Sequence, residues 1–477
     1  MAKKKLYLLI LSVVSVSILS SCNKQLNEPP ADASTNLTAV SDEKSAQIVL
    51  NGVYYRFANV NSNNVTDWTY HELSGGMLTG MLGYGGGAAG DESNNNVNSS
   101  YVSPLWTDAY QMINAANGLI SGVNKLPATA FTGGRKNQML AEAQFLRAYA
   151  VFKILMFFSE WNDLNSKNGV LLRTQLSTID NGQQARSTVA QSYNAILSDL
   201  DFAIKNGPTA NPNYYMNRWA AMVLKMRVLM CRAQTADYAQ VRSLADSVMQ
   251  NSPYTLEPNL KDLFYTKGLS SSEVILGTKP QANQENSYYI LSRAYYPGAS
   301  AIFCCKEAFK DLLASDPRRS WMVGDTLQFN PTPNTNYFTK FIPNGTSPTQ
   351  VSETCYAMRL TEVYLLKAEA ILRSGGDIAD AKTLIKTVMS KAGVTDFSAV
   401  NNANDVNSLL LQNYYEVLRN LTGEDGLEWM TLMRFPLSTI TQLRPTITSK
   451  VQLYFPVPLS ELNYNKLFGS QNTGYAF

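Results

Sequence analysis

The stretch that decides the fold is Tyr364-Leu365-Leu366-Lys367-Ala368-Glu369-Ala370-Ile371-Leu372-Arg373-Ser374-Gly375-Gly376-Asp377-Ile378-Ala379-Asp380-Ala381. Its first half has the apolar spacing of a helix running from Leu360 to Arg373. Gly375-Gly376 offers a left-handed exit. Asp377 is a good N-cap for a second helix, Ile378 to Lys391, which Gly393 ends. An earlier stretch repeats the plan: Leu224 to Met230, a short turn, then Asp237-Tyr238-Ala239-Gln240-Val241. Helix pairs of about 34 residues with small residues at the crossing mark tetratricopeptide-like hairpins. One such hairpin cannot bury its apolar face, so neighbours must stack.

Further helices are expected around these. Asp42 to Ala58 reads as amphipathic, with Ile48, Val49, Val53 and Tyr54 on one side. A helix opening at Pro104-Leu105-Trp106 runs to about Lys125, with Trp106, Tyr110, Ile113 and Asn117 on one face. Gln138 to Phe158 is apolar enough to be buried on most sides. Ser187 to Asn206, Asn217 to Ala233 and Asp237 to Gln250 follow. Two regions read differently. Ser62 to Ser100 holds Gly75-Gly76, Gly85-Gly86-Gly87 and Asn94-Asn95-Asn96, which is loop chemistry. Pro253 to about Thr354 reads as short strands and long loops. The fold class is therefore mostly α: a helical-hairpin scaffold with a loop-rich, minor β variable face.

The N-terminus carries its own message. Lys3-Lys4-Lys5 precedes an apolar run from Leu6 to Leu19, too short for an ordinary membrane span. Leu19-Ser20-Ser21-Cys22 then places small residues before a cysteine, the pattern of a lipoprotein signal cut before Cys22. Residues 1–21 are thus expected to be a signal peptide, Cys22 the lipidation site, 22–41 a tether, and 42–477 one domain with variable loops at about 62–103 and 253–354. The formal charge of +3 is supplied by the three signal lysines. The remaining chain is near neutral and offers no excess field for nucleic acid.

Residue counts exclude much chemistry. His71 is the single histidine, so His-pair zinc sites are excluded and a Ser-His or Cys-His triad would depend on it alone. It reads as a surface or loop residue with no catalytic duty. Beyond Cys22, four cysteines remain: Cys231, Cys304, Cys305 and Cys355. That is no disulfide scaffold. Cys231 reads as a small buried hydrophobe, and a bridge from the adjacent Cys304-Cys305 would reach Cys231 or Cys355. The glycine runs match neither GxxxxGK[ST] nor a GxGxxG after a strand, so a nucleotide site is rejected. No cofactor or metal is expected.

Five motifs, in order along the chain, resemble the SusD/RagB family of Bacteroidetes surface lipoproteins. They are the lipoprotein signal ending at Cys22, the helix Ala141 to Tyr149, the helix Leu360 to Ala370, the segment Asp425-Gly426-Leu427-Glu428-Trp429 to Arg434, and the closing pair Pro456 to Glu461 and Gln471 to Tyr475. This chain departs from the pattern at Asp425 (usually Glu), Glu428 (usually Arg), Asn465-Lys466 (where Asn-Pro is common) and Thr473 (usually Pro). The local ion pairing around Glu428 must therefore differ. The resemblance implies a mostly helical scaffold and a variable face that binds nutrient, usually an oligosaccharide. It also implies a lipid-anchored position on the outer face of the outer membrane, over a SusC-like TonB-dependent transporter. RagB-like members take peptides instead.

Glycan binding needs aromatic rings for the apolar faces of sugars and amides or carboxylates for their hydroxyls. Trp106, Trp219 and Trp429 read as core, and Trp161 is undecided. Trp68 and Trp321 lie in polar, turn-rich surroundings and are the leading ligand candidates. Tyr70, Tyr84, Tyr101, Tyr289 and Tyr296 follow, with Asp67, Asn94, Asn95 and Arg293 as polar partners. No binding residue carries over from the family motifs. Two other classes compete: a glycoside hydrolase using Asp91-Glu92 or Glu424-Asp425, and a pure helical scaffold. Adjacent carboxylates point apart, which disfavours the hydrolase.

Overall fold

Ten helices of eleven residues or more, with a short one near the C-terminal end, build the scaffold among the described residues, and local signals in the sequence explain where several of them begin. Helix α1 (Glu43–Phe57) opens on Asp42, whose carboxylate accepts the Ser45 amide at 2.7 Å. Then come α2 (Thr69–Thr79), α3 (Val102–Lys125), α4 (Arg135–Phe158), α5 (Val189–Asn206), α6 (Arg218–Arg232), α7 (Thr235–Asn251), α8 (Leu360–Arg373), α9 (Ile378–Lys391), α10 (Val406–Leu421) and α11 (Leu427–Leu432). Asp377 caps α9 by accepting the Ala379 amide at 2.8 Å. Asp237 does not open α7. It sits three residues past the cap Gln234 and reaches back to that backbone amide at 3.0 Å.

The computed structural model describes residues 39–84, 90–178, 180–287, 292–295, 303–324, 337–343 and 349–475. The signal peptide, Cys22, the tether to residue 38, Gly85-Gly86-Gly87, Tyr289, Tyr296 and the Arg293 side chain lie outside the described residues.

From α3 to α7 each helix packs on the next. Helix α8 packs on α7 as well as on its own partner α9, so the two expected hairpins stack directly. This is how their apolar faces are covered. Helix α4 is buried along nearly its whole length, including Glu142 and Lys153. All six tryptophans are buried, and the core runs as one cluster from Ala46 to Phe468.

The β content is small. Strands β1 (Leu82–Tyr84), β2 (Val274–Thr278), β3 (Phe303–Cys305), β4 (Val323–Gly324), β5 (Tyr337–Phe338) and β6 (Cys355–Arg359) form two sheets. One has the order β1-β3-β5-β4; in the other β2 pairs antiparallel with β6, Thr278 opposite Cys355. Short helices interrupt the region expected as strands and loops: Ala282–Ser287, Glu307–Leu312 and Arg319–Met322. Cys231, Cys304 and Cys355 are free thiols, so no bridge joins Cys304 to Cys231 or Cys355.

Three expectations need correction. The Gly75-Gly76 pair is not a loop signal; it lies inside α2. A Cβ on Gly75 would come within 2.7 Å of Gly426 Cα, and one on Gly76 within 2.6 Å of Leu82, so these glycines permit close packing. His71 is neither surface nor loop. It sits in α2 against Trp68, with ring centroids 4.6 Å apart, and burial lowers its pKa. Ile48 does not join the buried face of α1; it is 64% exposed.

A buried ionic network ties α2, α4, α6, α8 and β6 to the turn before α11. Asp425 stands at φ 53° in that turn. Its carboxylate takes Lys153 Nζ at 2.6 Å, Arg227 Nη1 at 2.7 Å and the Tyr149 hydroxyl at 2.6 Å. Beside it Glu424 accepts from Arg359 (2.6 Å) and Lys340 (2.5 Å). Arg227 also pairs with Glu362, and Arg359 with Glu273. Burial opposes the charge on Asp425; Lys153, Arg227 and His71 nonetheless hold it well below the usual carboxylate range. Glu428 is buried, and among the described residues no cation is paired with its carboxylate. One oxygen accepts the Gly423 amide at 3.2 Å and the other has no hydrogen-bond partner among the described residues. Burial pushes its pKa up to about 8. Burial thus favours the protonated form of this carboxyl.

Candidate functional site

The site that the structure assembles lies beside α1 and is lined by tyrosine. Three separate segments meet there: the C-terminal half of α1, the turn around Pro212 to Tyr215, and residues 278–282, from the last residue of β2 onward. The turn is held rigidly. Tyr215 N–H donates to Pro212 O (2.8 Å), Gly277 N–H to Asn213 O (2.8 Å), and Asn213 Nδ2 to Leu269 O (2.6 Å). Tyr54 anchors it from below: its hydroxyl accepts the Met216 amide at 2.9 Å and donates to Glu142 at 2.6 Å. Arg135 pairs with the same Glu142 at 2.7 Å, so the buried carboxylate is neutralised. Burial pushes the Tyr54 phenol well above its ordinary pKa, and it stays a donor.

Above that floor is a cleft of about 360 Å³, within the range of small-ligand sites. Tyr214 and Tyr215 have centroids 4.8 Å apart at 55°, and Tyr54 meets Tyr215 edge-on at 4.7 Å. Tyr55 forms the outer lip and is 48% exposed. Lys279 Nζ lies 5.8 Å from the Tyr214 centroid. Asn51 and Gln281 add amides to the wall. Such a cleft can receive a polar ligand with apolar faces: rings supply flat contact and amides supply directional hydrogen bonds.

The residues expected from sequence do not gather here. Trp68 is fully buried, donating Nε1–H to Phe57 O at 2.9 Å and packing on the Phe57 ring. Trp321 is 8% exposed, in a short helix, stacked on Phe264. Tyr101 is buried too. Neither tryptophan presents an open face, because partners from elsewhere in the chain cover both. Tyr70 is half-buried and binds Asp108 and Asn59 through its hydroxyl, each at 2.6 Å. Asp67 accepts from Thr69 at 2.6 Å. Tyr84 ends β1 with its ring 5.4 Å from Phe303. Asn94 is buried at φ 54°, donating to Leu78 O (3.0 Å) and accepting from Arg444 (3.0 Å) and Thr446 (2.6 Å). Each of these four side chains has a partner within the fold. Tyr289 and Tyr296 lie outside the described residues.

The acid pairs are equally occupied. Asp91 is buried against Ser99, Glu92 pairs with Lys306, and Glu424 and Asp425 belong to the ionic network. None of the four lines the cleft. Among the described residues no group of three His, Cys, Asp or Glu side chains could hold a metal, and no helix is long and apolar enough to cross a membrane.

Sequence reasoning missed Tyr55, Tyr214 and Tyr215. A signal was present: Asn211-Pro212-Asn213-Tyr214-Tyr215 places two aromatics in turn chemistry, the same criterion that drew attention to Trp68.

Comparison with known proteins follows the fold. A family profile described as "Starch-binding associating with outer membrane" matches residues 31–230, and one described as "SusD family" matches residues 320–438. A SusD-like protein of Bacteroides ovatus is 22% identical over 368 residues, or 69% of this chain. That match spans 64% of the relative's length, so the chain covers under two thirds of it. Among solved structures, a SusD superfamily protein of Bacteroides thetaiotaomicron superposes with TM-score 0.74 at 22% identity, covering 91% of this chain and all of the other. A putative sugar binding protein of Bacteroides vulgatus gives TM-score 0.72 at 20% identity, covering 92% and 100%. These structural likenesses establish the mostly helical fold.

Proposed function

The chain belongs to the SusD/RagB family, and from that premise we propose that it is a non-catalytic glycan-binding protein of the cell surface. The observation that carries the reading is the cleft of Tyr55, Tyr214 and Tyr215 with Asn51 and Gln281 in its wall. Its chemistry suits stacking on sugar rings and bonding to hydroxyls; among the described residues no acid pair lines it. The family description "Starch-binding associating with outer membrane" and the sugar-binding name of one structural neighbour support it.

The same reading places the protein on the outer membrane, anchored by lipid at Cys22 and connected by residues 22–41. It passes bound glycan to a SusC-like TonB-dependent transporter. Residues 42–477 act as the binding domain.

Affinity electrophoresis in gels containing soluble starch, xylan, mannan or pectin tests the binding. Retardation by at least one polymer, weakened by Tyr214→Ala, is expected. No retardation by any of them, with calorimetric binding of peptides instead, would replace the glycan with a peptide ligand.

A further inference from the structure

The outward ridge of α1 carries unusual residues for a solvent face. An amphipathic helix normally turns charged or polar side chains outward. Here Ile48 and Tyr55 project into solvent two turns apart, about 10.5 Å along the axis. Between them is Gly52, exposed and in the middle of the helix. A Cβ built on Gly52 meets nothing within 4 Å. Packing therefore gives no reason for glycine at this position. Nor does the backbone, which is ordinary helix. Yet glycine inside a helix costs stability relative to residues with side chains.

What the missing side chain provides is clearance. On one side of the ridge lies the aromatic cleft, walled by Asn51 and Tyr55. On the other is a hollow of about 400 Å³ lined by Gly52, Gln111 and Asn114, among others. Arg56 donates to Gln111 at 2.8 Å along its edge. Gly52 lines the second hollow and its chain neighbour Asn51 the cleft, so the two meet across this turn of the helix.

We propose that Ile48, Gly52 and Tyr55 form a saddle over which a glycan chain passes from the aromatic cleft into the second hollow. The ligand is then a polysaccharide or long oligosaccharide, not a mono- or disaccharide. The apolar C–H faces of successive sugars lie on Tyr55 and Ile48, and Gly52 lets the chain approach the helix. Amides of Gln111 and Asn114 meet hydroxyls beyond it. This rests on the glycan-binding reading of the same cleft.

The test uses the full chain, with soluble starch, xylan, mannan and pectin as probes, and a trisaccharide and a long oligosaccharide of whichever polymer binds. Gly52→Gln should raise the melting temperature, because a helix former replaces glycine. It should also weaken polymer binding by ~5-fold or more, the order expected for losing apolar contact, and leave trisaccharide affinity unchanged. Ile48→Gln should weaken polymer binding in the same way. Unchanged polymer binding in both variants overturns the saddle, as does equal loss for the trisaccharide. A dimer seen by sedimentation and abolished by Ile48→Gln would assign the ridge to a second copy of the chain. If the unsubstituted protein binds none of the polysaccharides, the glycan reading itself falls.

Discussion

Gly75 of α2 faces Gly426 so closely that a Cβ on Gly75 would lie 2.7 Å from the Gly426 Cα and 2.9 Å from the Glu428 side chain. Two backbones, far apart in sequence, touch without side chains between them. Gly426 is itself at φ 74°, where glycine is favoured. Gly75→Ala should therefore displace α2 from the turn before α11 and cost ~1–3 kcal/mol, the range for overpacking a close contact. Urea denaturation measures this. An unchanged midpoint would mean that the crossing is looser than the structure shows.

Asp425 is the hub of the buried ionic network, and Asp425→Asn separates its charge from its backbone role. Asparagine tolerates positive φ as aspartate does, so the turn at φ 53° survives. Lys153 and Arg227 then lose their shared anion in the interior. A loss of about 3–5 kcal/mol is expected, because an uncompensated buried charge remains. Adding Lys153→Met should recover part of it, since Arg227 keeps Glu362 while Lys153 has lost its acid; a double-mutant cycle reads the coupling directly.

Glu428 and Glu72 make stability depend on pH in an unusual direction. Burial raises both carboxyls from an ordinary 4.5 to about 8. The folded state then holds protons that the unfolded state has released. Their contribution is complete below pH 4.5 and is lost as pH rises toward 8, with a slope of at most ~1.4 kcal/mol per pH unit for each group. Lys340, lowered by burial to about 8, works the opposite way between pH 8 and 10.5. These three groups together predict a dip in stability near pH 8. Glu428→Gln should flatten the slope between pH 5 and 8 and raise the melting temperature at pH 8. An identical pH profile in the variant would show that Glu428 is ionised in the fold.

The tryptophans and tyrosines should separate cleanly in mutagenesis. Trp68→Ala empties a fully buried site and removes the bond to Phe57 O, so a loss of ~3–5 kcal/mol is expected. Tyr55→Ala and Tyr214→Ala should leave the melting temperature nearly unchanged and weaken glycan binding ~10-fold, about 1.4 kcal/mol of contact each. Thermal unfolding and affinity electrophoresis on the same samples decide it. Stable Trp68→Ala protein with lost binding would return the site to the Trp68 region.

The sequence was most legible where its signals are local. The α8–α9 hairpin could be read because its exit glycines and its Asp377 cap act within a turn of the chain. Helix α2 could not, since Gly75-Gly76 also spells a loop. Only the arrival of Gly426 and Leu82 explains glycines inside a helix. The burial of Trp68 and Trp321 was illegible for a related reason. Their sequence neighbours are polar, while the rings that bury them, Phe57 and Phe264, come from other elements. Glu428 departs from the motif in the sequence, but its surroundings, a buried site beside Gly423, are tertiary.

By itself, the sequence determined the helical-hairpin class, the family and most helix boundaries. Capping, periodicity and glycine exits are written in consecutive residues, so folding is not needed to read them. Tertiary structure alone decided which aromatics are open and where they meet. Tyr55, Tyr214 and Lys279 come from three distant segments, and whether a ring faces solvent depends on what the rest of the chain brings against it.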